Sequence, residues 1–410
     1  ANAKRMGAFG GTYDGQGFAI RNGKITSKNT GHGLNVNWGH GLFGMIYGAT
    51  IKNIVLDNVQ VEGHGVTGAI VGRAAATADD KEKGETLNVI ENCVVNANCT
   101  VTANYPTSVD TAKLSAAYDQ ASRAGGIVGM AYGTTVRYCV NHAAINVPGN
   151  WVMTGGVVGS AGYNTTVEYC VNTGKITYDL ATYQNKAECA VGGIVGFISP
   201  YSTGEVDKTL VGNTVIRNCY NSGIFYFNMG ENVAGNAIYW GGILGGANSL
   251  SKATNKIDNC YNLHALRKGE NGIAANIAVD NHNYRFGGLL GSYWNSKGAD
   301  VGVLEVLNSA SVDIDENAYE GTNQCRYWKR NNKEGKLCVE ESTSGQKTAE
   351  ELAPLTKAID DAISAFNASA TAKKVGKVAF QCSTGGNTNA VRFSAQIVGN
   401  GYVRVGLKVW

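Results

Sequence analysis

The sequence predicts an all-β chain: a right-handed parallel β-helix (solenoid) with a small C-terminal α+β cap. Three observations carry this. A Gly-Gly-apolar-apolar-Gly block recurs at Gly125–Gly129, Gly155–Gly159, Gly192–Gly196, Gly241–Gly245 and Gly287–Gly291, with looser copies at Gly41–Gly44 and Gly68–Gly72. After most blocks comes a β-branched residue and then a cysteine: Ile90 and Cys93, Val136 and Cys139, Val167 and Cys170, Ile216 and Cys219, Ile257 and Cys260. Asn141, Asn172, Asn221 and Asn262 then follow their cysteines at one shared offset. Motifs repeated in fixed order mark units that pack only on their neighbours.

Each unit reads as three short strands. The Gly-Gly block is one, its β-branched centre suiting a buried strand. The Ile-x-x-Cys segment is the second, alternating apolar and polar. The third follows an Asn-Gly-like bend, as in Gly174–Tyr178, Gly223–Tyr226 and Ala143–Val147. Stacked asparagines at that bend are expected to bond from rung to rung. Right-handed crossovers are the sterically favoured way to join parallel strands. Longer units place their extra residues at two corners. One precedes the Gly-Gly blocks (103–122, 179–190, 228–239, 263–285), and the other follows them (73–89, 197–214, 246–256, 292–303).

Residues 1–318 are assigned to this stack. Residues 319–344 read as a β-hairpin extension with Cys325 and Cys338 facing across its turn, a candidate disulfide. Residues 345–410 read as a helix and a small antiparallel sheet that cover the C-terminal end of the stack. The helix, expected over 348–367, has a capping box at Thr348 and Glu351 and an apolar stripe of Leu352, Leu355, Ile359, Ile363 and Phe366. Pro354 predicts a kink or a later start. Strand-like runs follow at 375–382, 390–398 and 402–410.

The chain has 410 residues, 55 of them Gly and only 4 Pro, which suits tight turns without a collagen period. A net charge of +3 argues against nucleic acid or an anionic membrane as partner, and no apolar run is long enough for a membrane span. Residues 1–30 lack the apolar core of a signal peptide, and the missing initiator Met reads as a mature or excised form. Five of the ten cysteines share one repeat position that Ile54 occupies in the first unit and Leu307 in the last. A position that accepts Ile, Cys or Leu points inward, so a buried column of free thiols is expected.

These motifs resemble the GLUG repeats of bacterial surface proteins, which also occur in the non-catalytic region of immunoglobulin A1-specific metallopeptidases. Phe9–Ile20 is similar to the opening element of such arrays, and Gly41-Leu42-Phe43-Gly44 followed by Ile51-Lys52-Asn53-Ile54 to its sequel. The likeness covers about residues 9–310, in seven copies. It implies a β-helix on a secreted or surface protein. It does not imply proteolysis, because His-Glu-x-x-His is absent and the six histidines are never four apart.

No catalytic residue and no metal or other cofactor is assigned. The cysteines have neither paired His nor Cys-x-x-Cys spacing for zinc. Cys139 and His142 are near in sequence, but the column reading turns the thiol inward. Glu91, Glu168 and Asp258 share a repeat position with Lys52, Arg137 and Arg217, which reads as a solvated face of mixed charge. Thr134, Thr135, Thr165 and Thr166 do not extend into a flat threonine array. Aromatics concentrate at the corner before the Gly-Gly blocks. Tyr105, Tyr118, Trp151, Tyr183, Tyr239 and Tyr284 are the candidate ligand-binding residues, while Trp240 abuts a block and reads as core. The expected function is an extracellular, non-catalytic surface protein of adhesin type. Its partner would be a glycan or a host surface protein, with other domains of a longer chain as a further partner. The alternative is a β-helix carbohydrate-active enzyme, a polysaccharide lyase or glycoside hydrolase.

Overall fold

The computed structural model describes residues 8–26, 39–74, 88–104, 122–148, 152–179, 188–198, 212–228, 237–249, 253–266, 284–295, 303–312, 345–371, 392–398 and 402–408. Among the described residues long parallel sheets dominate, with one C-terminal helix. The units that begin at Val66, Ser122, Val152 and Glu188 hold five short strands each rather than three. In the most compact unit they are Ser122–Gly125, Val128–Tyr132, Thr134–Arg137, Val140–Asn141 and Ala144–Val147. The second glycine and the residue after it form a bend between the first two, so the block is not a strand centre. The Val-x-x-Cys segment is likewise broken, because the residue before each cysteine adopts a left-handed backbone. These residues are Asn53, Asn92, Tyr138, Tyr169, Asn218, Asn259 and Asn308 at its equivalents, with φ between 48° and 57°. Asparagine tolerates that conformation better than other residues carrying a Cβ.

Every strand of this unit pairs parallel and in register with its equivalent in the next. Inward positions therefore form columns. Ile51, Ile90, Val136, Val167, Ile216, Ile257 and Val306 follow one another, all fully buried. Beside them run Ile54, Cys93, Cys139, Cys170, Cys219 and Cys260, buried, with the thiols free. Each of these five sulfurs donates to the carbonyl two residues back, such as Cys219 Sγ to Arg217 O at 3.1 Å. The last member is Ser309, not Leu307. Val306 pairs with Ile257, so Leu307 falls opposite Asp258 on the outer face, and Ser309 Oγ accepts from Cys260 N at 3.0 Å. Leu304 and Val306 are both apolar, and alternation alone left the register two residues ambiguous.

The asparagines form the expected ladder. Asn141 Nδ2 donates to Asn172 Oδ1 at 2.9 Å, Asn172 to Asn221 at 2.8 Å, Asn221 to Asn262 at 3.0 Å, and Asn262 to Ser311 Oγ at 3.0 Å. The second amide hydrogen goes to the carbonyl two residues on, and Oδ1 accepts the N–H of that same residue. All four side chains are buried at 2% exposure or less, so full satisfaction is a condition of stability. Their neighbours across the interior are the second glycines of the blocks. A Cβ on Gly126, Gly156, Gly193 or Gly242 would lie 2.2–2.4 Å from the amide carbon of Asn141, Asn172, Asn221 or Asn262, and as close to a carbonyl of the next unit. Where the block has Ala69 in place of that glycine, the ladder position is Val95.

The tail departs from expectation. Its helix, Ala349–Thr371, lies along the flank of the stack rather than over its C-terminal end. Thr348 and Glu351 form the capping box, Thr348 N to Glu351 Oε2 at 2.7 Å and Glu351 N to Thr348 Oγ1 at 3.2 Å. Pro354 lies within the helix on its exposed face, where the carbonyl it cannot bond is open to water. Leu352, Ile359 and Ile363 bury against Val171, Tyr261 and Ala310. Tyr220 Oη donates to Asp360 at 2.9 Å, and burial followed by that carboxylate raises the phenol pKa. Phe366 stacks on Tyr138 at 3.9 Å, and Tyr138 stacks on Tyr169 at 5.1 Å. A helix advances about 5.4 Å per turn and parallel strands repeat about every 4.8 Å, so successive turns meet successive units. The final strands, Arg392–Val398 and Tyr402–Lys408, form an antiparallel pair. The hairpin over 319–344, with Cys325 and Cys338, and the run 375–382 lie outside the described residues.

Two outcomes follow. Asn172→Ala leaves the Gly174 N–H and one Asn141 amide hydrogen without partners and should cost about 3 kcal/mol in urea unfolding. Gly156→Ala should cost about as much by overpacking, and tolerance of both would show that the contact carries no load. Separately, Tyr138→Asn and Phe366→Ala should couple by about 1 kcal/mol in a double-mutant cycle, because asparagine relieves the left-handed backbone only by giving up the stack. A coupling near zero would mean the stack is incidental.

Candidate binding faces

Four of the candidate aromatics, Tyr105, Tyr118, Trp151 and Tyr183, lie outside the described residues. Tyr284 opens the strand Tyr284–Gly287, and its backbone pairs with Ile238. Tyr239 is a correction. It is buried in a cluster with Met153, Ala190 and Phe197, so its ring cannot serve as an exposed platform. The small residues at the glycine bend let outward side chains of the two adjoining strands close on one another. Trp240 is core, as expected, at 1% exposure.

The segments before the glycine bends return at one place. The strands Val66–Gly68, Ser122–Gly125, Val152–Gly155, Glu188–Gly192, Ala237–Gly241 and Tyr284–Gly287 form one parallel sheet. The strands preceding the segments form another: Gln60–His64, Thr100–Asn104, Ala144–Val147, Ile176–Asp179 and Phe225–Asn228. The two sheets therefore line up the departure and return points of consecutive inserts.

The outer face of that second sheet reaches the same corner. In register it carries Glu62, Thr102, Asn146, Thr177 and Tyr226, none of them buried. Asn104 Nδ2 donates to Glu62 Oε1 at 3.1 Å. Lys175 Nζ sits 5.1 Å from the Tyr226 ring centroid, holding the ring by a cation–π contact. Ile224 beside it is 37% exposed. This aromatic was absent from the sequence candidates. The alternation Phe225 in, Tyr226 out, Phe227 in was the signal that could have found it.

A second face carries the mixed charges, and register sorts them. Asp14, Lys52, Glu91, Arg137, Glu168, Arg217 and Asp258 follow one another, alternating in sign. Arg137 grips Glu91 at 2.7 Å and Arg217 grips Glu168 at 2.6 Å, while Lys52 lies 3.7 Å from Asp14. These carboxylates are held by cations, not set as an acid–base pair. Thr135 and Thr166 share an adjacent column with Thr12, Thr50, Val89 and Val215, whereas Thr134 and Thr165 are buried.

The interior offers sulfur and imidazole without access. Burial pushes the Cys93, Cys170 and Cys219 thiols well above the usual value. At Cys139 hydrogen bonds with Cys170 and Cys93 oppose the same burial. A nucleophile needs a thiolate that substrate can reach, and the Cys139 side chain is enclosed. His142 points the other way, its Nδ1 2.6 Å from Thr173 Oγ1 on the surface. No group of three His, Cys, Asp or Glu suited to a metal occurs among the described residues. No described helix is long and apolar enough to cross a membrane.

No family model matches the chain, and no curated protein matches it. Among solved structures, a "putative immunoglobulin A1 protease" from Bacteroides ovatus is similar, with 16% identity and a TM-score of 0.42. The alignment covers 96% of this chain and 76% of that one.

His264 gives a pH test. It is buried edge-on to Trp240 at 6.1 Å, and its Nε2 accepts from Phe225 N at 3.3 Å. Burial lowers its pKa to about 4. An unfolded histidine titrates near 6.5, so the unfolded chain binds the extra proton between those values. Stability should therefore fall as pH drops through that window, by about 3 kcal/mol in all. His264→Gln should flatten this limb in urea titrations, and an unchanged slope would refute the assignment.

Proposed function

We propose that this chain is an extracellular, non-catalytic surface protein of adhesin type. Its units wind as a right-handed parallel β-helix that presents inserts from one corner to a glycan or a host surface protein. The observation that carries this reading is the alignment of strand ends on both sides of the insert segments. Inserts anchored at regular rungs can meet a long or repetitive ligand at several points. Weak contacts then add through effective concentration.

Tyr105, Tyr118, Trp151, Tyr183 and Tyr284 belong to this corner by sequence position, and Tyr226 joins them from the adjoining sheet face. A sugar ring offers an apolar C–H face to an aromatic and hydroxyls to amides, and Thr177 and Asn228 flank Tyr226 on the same sheet, with Asn146 one strand further along. The same chemistry suits a protein partner. Described carboxylates in ion pairs and enclosed thiols are consistent with binding without turnover.

Glycan arrays and host-surface protein panels, with turnover assays on every hit, test the reading. Replacing Tyr105, Tyr183 and Tyr284 together by Ala should weaken binding at least about tenfold, and Tyr226→Ala about threefold, with the far-ultraviolet spectrum unchanged. Cleavage of a bound polysaccharide or immunoglobulin by the purified chain would overturn the non-catalytic assignment.

A further inference from the structure

The outward positions of the two- and three-residue strands of one sheet form a ridge that the helix covers only in part. In register it runs Ala19, Val55, Val94, Val140, Val171, Tyr220, Tyr261 and Ala310. Every member is apolar or aromatic, although each points away from the stack interior. From Val140 to Ala310 the reason is plain, because these residues pack against Leu352, Leu355, Ile359 and Ile363. The helix reaches Tyr138 through Phe366 and ends at Thr371. Ala19, Val55 and Val94 continue the ridge beyond it and are half-buried.

The C-terminal strand pair has the matching need. Its register sets Phe393 opposite Leu407, Ala395 opposite Val405 and Ile397 opposite Val403. In sequence these apolar residues alternate with Arg392, Ser394, Gln396 and Val398 in one strand and with Tyr402, Arg404, Gly406 and Lys408 in the other. A lone two-stranded sheet is marginal in water and needs a surface to lie on. The backbone of Tyr402–Lys408 approaches Ala19–Arg21, the strand that carries the first ridge residue.

We infer that the C-terminal strand pair lies on the Ala19–Val55–Val94 end of the ridge. The tail is then a clasp on one nine-stranded sheet, whose order begins at Ala19–Arg21 and ends at Gly345–Gln346. Gly345–Gln346 closes the C-terminal edge by pairing with Ala310–Ser311. The helix crosses the middle, and the strand pair covers the N-terminal end. An open parallel edge recruits further strands, and Gly345–Gln346 occupies the one beside Ala310–Ser311.

Hydrogen–deuterium exchange on the full chain tests this. V55K and V94K place charge on the ridge without touching an inward column. Each should speed exchange of the 392–398 and 402–408 amides at least about tenfold, leaving the amides of Thr134–Arg137 and Val167–Glu168 unchanged. V405K, which alters only the tail, should speed exchange in Ala19–Arg21 and Val55–Asp57. Three results would overturn the inference: a strand pair already unprotected in the native chain, protection indifferent to all three substitutions, or ridge protection that rises with protein concentration. The last would assign the ridge to a second copy.

Discussion

The contact between a glycine without a side chain and a buried asparagine amide organises this molecule. Each Asn of the ladder spends both amide hydrogens and its oxygen, once on the next unit and otherwise on its own bend. It can do so only because the second glycine of the block leaves room for the amide across the interior. A Cβ there would meet backbone as well as amide, so neither side could yield. The pairing explains why the two motifs travel together, and why Ala69 is matched with Val95 rather than with another Asn. A buried amide left half-bonded would cost more than an apolar residue, so the ladder persists only where it is complete.

The exterior obeys the same stacking rule with different chemistry. In-register parallel units set like positions on like, which would place like charges about 4.8 Å apart. The alternation from Asp14 to Asp258 turns that repulsion into pairing. Such pairs add little stability at a surface, but a misaligned unit would face like charge, so they favour the correct order of units. At the neighbouring corner asparagine is the residue suited to a left-handed backbone. Tyr138 and Tyr169 break that pattern where Phe366 docks, and Arg137 lies over the same ring at 5.9 Å. Local strain there is exchanged for attachment of the helix.

This arrangement separates scaffold from surface. Sulfur, imidazole and amide groups are used to hold the interior, and described charges pair along one face. Tyr226, Lys175 and the amides and hydroxyls near them occupy another face, beside the corner from which the inserts leave. Insert sequences can change there without disturbing the inward columns, because each insert joins two strands whose register is set by their neighbours.

The repeat, the inward thiol column, the asparagine ladder and the capping box were legible in the sequence because each depends on local spacing. A glycine block, a cysteine and an asparagine at fixed offsets can be read without knowing what they touch. Pairing across units could not be read so directly. Alternation is satisfied equally by registers two residues apart, which is why Leu307 was given the place that Ser309 holds. The division of each strand by a glycine bend or a left-handed residue also escaped a pattern that scores only polarity. Tyr239 read as a loop aromatic, and the closing of two strands around a glycine bend made it core. The helix stripe announced that it would be buried but not against what. Only the outward apolar ridge, assembled from residues scattered between 19 and 310, decided that the helix lies along the flank, because that ridge exists nowhere in the chain until the units stack.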